Sequence, residues 1–310
     1  MKKNKKILED YILECTSRKI KPTTLYQYRN DIRILFIWVL EKKDNKVITD
    51  LVKKDFRDYI LYLSIDKNLS NARVNRLMSC CRSLLSFLED DEDYDYLVSQ
   101  AHKIKGLPRD PVRDIIFLDN EEVIKLYNYF MINEQYKDAT LLGLAYESAG
   151  RKNELVQVKK DSIKEDKNCT NIVIGKRGKK FNLLYFKLTQ NACKRYLKQR
   201  GEDNIEELFV TEDGKPASAD AIYDWVIGWR KIYKDIFGKE LNFNVHSFRH
   251  SSLENYANGS HEVCKKLKLG KIPLEKLRLI ANHSSIATTQ GYLRDNSERE
   301  LEELFHIKLK

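Results

Sequence analysis

Six residues between positions 151 and 292 form a set that could transfer a phosphodiester. His246 and Arg249 stand three apart in His-Ser-Phe-Arg-His, residues 246–250. His283 follows in Asn-His-Ser-Ser, and Tyr292 comes nine residues later. Upstream, Arg151 stands in Ala-Gly-Arg-Lys-Asn-Glu-Leu and Lys176 in Ile-Gly-Lys-Arg-Gly-Lys-Lys. A guanidinium presents a planar fork of donors that fits two phosphate oxygens, so two arginines make a clamp. A phenol is a weak nucleophile at neutral pH, and imidazole is the side chain suited to moving its proton. Attack by a tyrosine leaves a covalent phosphate ester on the protein.

Taken singly, each residue also has a plainer reading. A His-x-x-Arg pair on a helix shares one face and is usually surface. His283 could be a helix C-terminal residue, where a cation is favoured. The chain has 17 tyrosines, so any one is more often core or surface than nucleophile. Arg151 interrupts an apolar stretch and needs an anionic partner; Glu154, three residues on, could be only a salt-bridge partner. Lys176 sits at a predicted hairpin turn, where polar residues are usual. Lys179 and Lys180 are close enough to compete for its role.

Helices must position most of this set. Residues 25–39 carry Leu25, Tyr28, Ile32, Leu35, Phe36 and Val39 at helical spacing, with Thr23 and Thr24 placed to cap. A second helix is expected after Thr49, through Phe56, Ile60 and Leu63. A third is expected from Ser70, with Val74, Leu77, Met78, Cys81, Leu84, Leu85 and Leu88 on one stripe. A weaker stripe at Leu8, Ile12 and Cys15 makes about four. The acidic run at 89–95 reads as a solvated helix end. Residues 106–116 hold Gly106, Pro108 and Pro111 among basic residues, which is linker chemistry.

Beyond the linker, Asp119 or Asn120 can cap a helix through Val123, Leu126 and Phe130. Residues 141–155 read as helical, with Gly143 and Gly150 weakening the pattern. Residues 172–186 read as a hairpin with a basic, glycine-containing turn. Helices are expected again at 192–199, 219–237, 247–256 and 273–281, with Pro273 at a first helical position. Leu301, Leu304 and Phe305 share one face of a terminal stretch, residues 297–309.

The chain has 310 residues with 42% hydrophobic and 33% charged, enough for two cores. Its net charge is +10, split as +5 in residues 1–110 and +5 in residues 111–310. A basic balance spread over both halves points to a polyanion such as nucleic acid; a solubilising surface is the alternative. Six cysteines form no Cys-x-x-Cys pair and no zinc-ligand spacing. With no apolar stretch long enough to span a bilayer, the reading is a reducing bacterial cytoplasm, at the nucleoid.

Together and in this order, the motifs resemble the tyrosine recombinase (phage integrase) family, with a Xer-like or Cre-like plan, over nearly the whole chain. Arg151 before a Glu-Leu pair matches the first arginine. Ile-Gly-Lys176 before a basic turn matches the hairpin lysine. His246-Ser-Phe-Arg249-His250 matches the His-x-x-Arg box, and Asn-His283-Ser-Ser-Ile-Ala-Thr-Thr-Gln-Gly-Tyr292 the last motif. The resemblance implies a mostly α fold with a small antiparallel β-sheet. It implies a helical, SAM-like core-binding domain at 1–105, a basic linker at 106–116 and an α+β catalytic domain at 117–310. It implies Tyr292 as nucleophile, Arg151 and Arg249 on the non-bridging oxygens, Lys176 as acid for the leaving 5′-oxygen, and His246 and His283 assisting. The intermediate would be a 3′-phosphotyrosyl ester, formed without ATP, cofactor or metal. The partner would be double-stranded DNA with inverted-repeat sites, bound by a homotetramer through a Holliday junction, with accessory proteins in some systems and no membrane.

Three departures stand out. Gly150 replaces a bulky residue before the first arginine, which is expected to loosen local packing. Asn282 stands where glycine is common. A basic insertion at 258–272, containing Cys264-Lys-Lys-Leu-Lys-Leu-Gly-Lys271, reads as a loop that touches DNA or a neighbouring subunit, or is plain surface. The rivals are a type IB topoisomerase or telomere resolvase, which share the chemistry, and a non-catalytic DNA-binding protein on the same fold. The intact residue set argues against the last.

Overall fold

The computed structural model of the chain describes residues 2–108, 115–294 and 305–308. Its contacts divide the chain into two units, Met1–Arg113 and Asp114–Lys310.

The first unit is helical: α1 Lys2–Ser17, α2 Pro22–Lys42, α3 Lys53–Leu61 and α4 Asn71–Asp90. The stripes read from the sequence face one core, with Leu35, Phe56, Tyr59, Leu77 and Leu84 buried there. Ser70 caps α4 by accepting the Arg73 N–H. Thr23 and Thr24 do not cap α2. The helix starts earlier, at Pro22, whose missing N–H costs nothing in a first turn. Asp31 on α2 is buried and holds both Arg73 and Arg76 of α4, at 2.9 and 3.1 Å, which ties the two longest helices of this unit together. Residues 109–114 of the expected linker lie outside the described residues.

The second unit surrounds a larger core. Helix α5, Asn120–Ile132, opens on a capping box between Asp119 and Glu122. Helix α6, Tyr136–Ser148, is buried over most of its length. The helical stretch expected over 141–155 is broken. Ala149 adopts a left-handed conformation at φ +50°, and α7, Lys152–Leu155, restarts after Arg151. Gly150 does not loosen this corner. A Cβ there would lie 2.8 Å from Leu155 Cδ2 and 2.9 Å from Ser148 Oγ, so the turn closes only because the side chain is absent. Strands β1, Cys169–Ile174, and β2, Lys180–Leu184, form the antiparallel hairpin.

Helix α8, Lys187–Arg200, packs on α6. The wholly buried Glu147 carboxylate of α6 accepts the backbone N–H groups of Phe186, Leu188 and Thr189 and the Thr189 hydroxyl, fixing the end of α6 against the start of α8. Then come α9 Ala219–Phe237, α10 Val245–Asn258, α11 Glu262–Leu267, α12 Leu274–Ile280 and α13 Ile286–Gln290. Pro273 is the residue before α12 rather than its first helical position.

The insertion at 258–272 is not a loop; it contains α11. Gly259, at φ +78°, lets its turn close against the backbone of Gly270, where a Cβ would lie 2.9 Å from the carbonyl carbon. His261 is fully buried between the rings of Tyr146 and Tyr256, at 4.1 and 3.7 Å. The insertion therefore roots in the core. Of the terminal stripe, Leu301 and Leu304 lie outside the described residues and Phe305 is exposed.

The fold is mostly helical with a two-stranded antiparallel sheet among the described residues, as the sequence reading gave. No helix among them is long and apolar enough to cross a membrane, and no cluster of His, Cys, Asp and Glu there could hold a metal ion.

Candidate active site

Helix α10 supplies three of the site side chains. Asn244 starts it by accepting the backbone N–H groups of His246 and Ser247. That places His246, Arg249 and His250 on the first two turns. Arg249 is 1% exposed. Its guanidinium donates to the Ala149 carbonyl, to the Ala281 carbonyl at 2.7 Å and to His283 Nε2 at 2.7 Å. The broken helix explains the first contact, because the left-handed turn at Ala149 frees its carbonyl from the helical ladder. Arg249 Nε is buried with no hydrogen-bond partner among the described residues.

His283 lies just beyond α12, after Asn282 at φ +55°. Its Nε2 accepts from Arg249, so Nδ1 carries the proton and donates to Thr289 Oγ1 at 3.0 Å. Tyr292 follows α13, and its ring meets four side chains. It stacks on His250 at 4.4 Å and lies 5.3 Å from His246 and 5.0 Å from His283. The Arg249 guanidinium carbon sits 5.0 Å above its centroid. His250 also donates Nδ1–H to the Tyr292 carbonyl at 3.1 Å, which holds the tyrosine by its backbone as well as its ring.

Arg151 stands between α6 and α7 and pairs with the buried Glu154 at 3.0 Å. Its charge reaches the same pocket, for it is among the cations that lower the pKa values of His246, Arg249 and His283. Arg151 is thus a salt-bridge partner of Glu154 whose charge is also felt at the pocket. The hairpin resolves differently. Lys176 points to solvent with no side-chain partner among the described residues. Lys179 donates to the Asn282 carbonyl at 3.0 Å and stands beside His283. The structure therefore gathers Arg151, His246, Arg249, His283 and Tyr292, and brings up Lys179 rather than Lys176.

Burial, then neighbouring cations, lowers His246 to about 4 and His283 to about 3. Burial alone lowers His261 to about 3. All three are neutral at physiological pH. Arg249 is lowered to about 10, chiefly by burial, and stays charged. The buried pair His261 and His283 has a consequence for stability. In the unfolded chain each takes a proton near pH 6.5; in the folded chain each resists until about pH 3. Between these values the unfolded state binds more protons, so stability is full above about pH 6.5 and falls as pH drops. The slope is about 1.4 kcal/mol per pH unit for each group. Denaturant titrations should show about 3 kcal/mol less stability at pH 5.5 than at pH 7.5, and equal stability would contradict this burial. The His246 ring is packed among cations and rings but keeps an edge in solvent, which screens those charges, so its share is smaller.

Two contributors carry no role in the sequence analysis. His250 stands inside the His-x-x-Arg box, and its spacing of four from His246 is the available signal. Thr289 has none, since it acts through a contact set by a turn.

A model of the Phage integrase family matches residues 116–299, and one of its N-terminal SAM-like domain matches residues 7–93. A tyrosine recombinase XerC from Caldanaerobacter subterraneus is 26% identical, covering 92% of this chain and 82% of its own length. A tyrosine recombinase XerD from Staphylococcus haemolyticus is 25% identical, covering 92% of each chain. Among solved structures, the Tn1549 transposon integrase in complex with a circular intermediate DNA has a TM-score of 0.69 at 16% identity, covering 96% of this chain and 99% of that one. A lambda integrase dimer bound to a COC′ core site has a TM-score of 0.67 at 18% identity, covering 98% and 80%.

Proposed function

Because the chain belongs to the phage integrase family and is a site-specific tyrosine recombinase, we propose that Tyr292 cleaves double-stranded DNA by attacking a backbone phosphate. The bond from the phenol oxygen to phosphorus forms and the bond to the 5′-oxygen breaks, leaving a 3′-phosphotyrosyl ester. His246 is neutral and has no side-chain hydrogen bond among the described residues, so it is available to receive the phenol proton. Arg249 and Arg151 hold the non-bridging oxygens and stabilise the charge that grows on them. His283 already accepts from Arg249, so its part is to aim that guanidinium. Attack by the 5′-hydroxyl of another strand reverses the step and rejoins the backbone.

What carries this reading is one observation. A tyrosine ring contacts an arginine and three histidines, all from its own chain. The unpartnered Nε of Arg249 adds a buried donor to the same pocket.

Lys176 is the acid that protonates the leaving 5′-oxygen; Lys179 anchors the hairpin turn against Asn282. A substrate with sulfur in place of the bridging 5′-oxygen tests this, because a thiolate leaves without a proton. Lys176→Ala is expected to cleave the ordinary substrate at least about 100-fold slower and the sulfur substrate at the wild-type rate. Rescue of Lys179→Ala instead would move the acid to Lys179. Rescue of neither would remove the hairpin from acid catalysis.

The sites are read as inverted repeats bound by four copies that exchange strands in pairs, with residues 1–105 as core-binding domain, 106–116 as linker and 117–310 as catalytic domain. The basic charge in both parts of the chain supports a DNA contact from each. Integration, excision, resolution or inversion of a DNA element, with accessory proteins in some systems and in the bacterial cytoplasm, are the outcomes this reading covers.

A further inference from the structure

Tyr292 leaves a helix of five residues, α13. So short a helix does not hold itself, and the place of the phenol depends on what packs against the segment. Two holds on that segment meet on one ring that the mechanism does not use, Phe117.

Phe117 stands just before α5. Its neighbours are core: Ile116 packs against the larger core and Leu118 lies within it. Both backbone groups of Leu118 are pinned to α10. The N–H donates to Ser251 Oγ at 2.8 Å, and the carbonyl accepts from Asn255 Nδ2 at 3.1 Å. Ser251 and Asn255 are four residues apart and share one face of the helix. This fixes Phe117 beside the next row of that helix, where His250 and Glu254 stand.

The Phe117 ring is half-buried and faces two nitrogen-bearing side chains. It meets His250 edge to face, with centroids 5.9 Å apart and planes at 81°, a geometry that ring quadrupoles favour. The Arg294 guanidinium carbon sits 4.7 Å from its centroid, a cation over a ring. His250 in turn stacks on Tyr292 and holds its carbonyl. Arg294 lies two residues beyond Tyr292, and its backbone N–H donates to Glu254 Oε2 at 3.0 Å. One ring thus touches the imidazole behind the tyrosine and the side chain just past it in the chain.

We propose that Phe117 is a positioning residue for the nucleophile, holding the Tyr292 segment through His250 on one side and Arg294 on the other. This rests on the reading of Tyr292 as the attacking group, and two measurements keep the two apart. The first is the single-turnover rate of adduct formation, with protein in saturating excess over a nicked duplex selected from a randomised pool by wild type. Phe117→Leu keeps an apolar side chain and loses the ring; Phe117→Tyr keeps the ring. Phe117→Leu should cleave about 10- to 100-fold slower, as a displaced reacting group does, with duplex affinity unchanged. Phe117→Tyr should stay within about threefold of wild type. Arg294→Gln should slow cleavage alone and add nothing in the Phe117→Leu background, the coupling expected of two groups that act through one contact. A merely structural ring would lower the melting temperature and leave the saturated rate below that temperature unchanged.

The second measurement needs no cleavage. Fluorotyrosine is incorporated, and the Tyr292 fluorine resonance is identified by its loss in Tyr292→Phe. It should be one line in wild type and Phe117→Tyr, and shift or split in Phe117→Leu. A Phe117→Leu rate within about threefold of wild type, or equal slowing by Phe117→Leu and Phe117→Tyr, would overturn the inference and leave Tyr292 as the nucleophile. A wild type that forms no adduct would overturn the nucleophile reading. The fluorine line would then decide the positioning alone, and an unchanged line in Phe117→Leu would overturn it. Should Phe117→Leu not fold, Arg294→Gln carries the test, since that side chain is exposed; a wild-type rate with a wild-type fluorine line would overturn the inference.

Discussion

Tyr292→Phe is expected to bind DNA as wild type does, within about threefold, and to form no covalent adduct. The substitution removes one oxygen and keeps the ring. The stack on His250, the contacts with His246 and His283 and the guanidinium above the ring all survive. The backbone hold from His250 survives too. Folding stability should therefore change by less than about 1 kcal/mol. Cleavage, in contrast, loses its nucleophile: of the other hydroxyls nearby among the described residues, Thr289 is buried and held by His283, and Ser284 and Ser285 are exposed and outside the ring of contacts. Thermal denaturation, duplex titration and a denaturing gel read the three quantities. An adduct formed by the variant would mean that Tyr292 is not the attacking group.

The second large effect is at Arg249. Arg249→Lys keeps the charge and loses the fork. A lysine ammonium cannot reach the Ala149 carbonyl, the Ala281 carbonyl and His283 together while also holding phosphate oxygens. Loss of a single aimed donor costs about 100- to 1,000-fold in comparable oxyanion sites, and here His283 also loses the group that fixes its tautomer. Single-turnover cleavage should slow at least about 1,000-fold, with duplex affinity lowered far less, because the exposed cations that dominate it are untouched. Stability should fall by about 1 to 3 kcal/mol for each buried carbonyl left unpaired. A variant that cleaves within tenfold of wild type would remove Arg249 from the transition state.

The chemistry of this chain was legible because its residues lie in short local motifs. His246 and Arg249 share a helix, and His283 and Tyr292 are joined by a single capped turn. The helices were legible for the same reason, since burial repeats along one chain segment. The break at Ala149 was not. Hydrophobic residues run on through 141–155, and Gly143 and Gly150 weaken the pattern equally, so periodicity does not say that the chain breaks at Ala149, where close packing of Gly150 against Leu155 makes two helices. The two tyrosines that enclose His261 were also invisible. Tyr146 lies 115 residues away, and nothing local pairs them. The insertion therefore read as surface although its first residues are core. The turn that holds Lys176 and Lys179 was less legible: both stand within four residues, and the sequence gives no sign that Arg177 takes a left-handed conformation, at φ 61°, or that Lys179 reaches the Asn282 carbonyl.

The account stands on Tyr292 as the covalent attachment point, and the most direct measurement is to trap and map that bond. Wild type is incubated with nicked suicide duplexes carrying a randomised site, so that the cut strand diffuses away and the ester persists. The adduct is isolated under denaturing conditions, digested, and the nucleotide-bearing peptide sequenced by mass spectrometry. The account predicts a nucleotide on Tyr292, joined through its 3′-phosphate. Attachment at any other residue, or no adduct from protein that binds the same duplexes tightly, would contradict it.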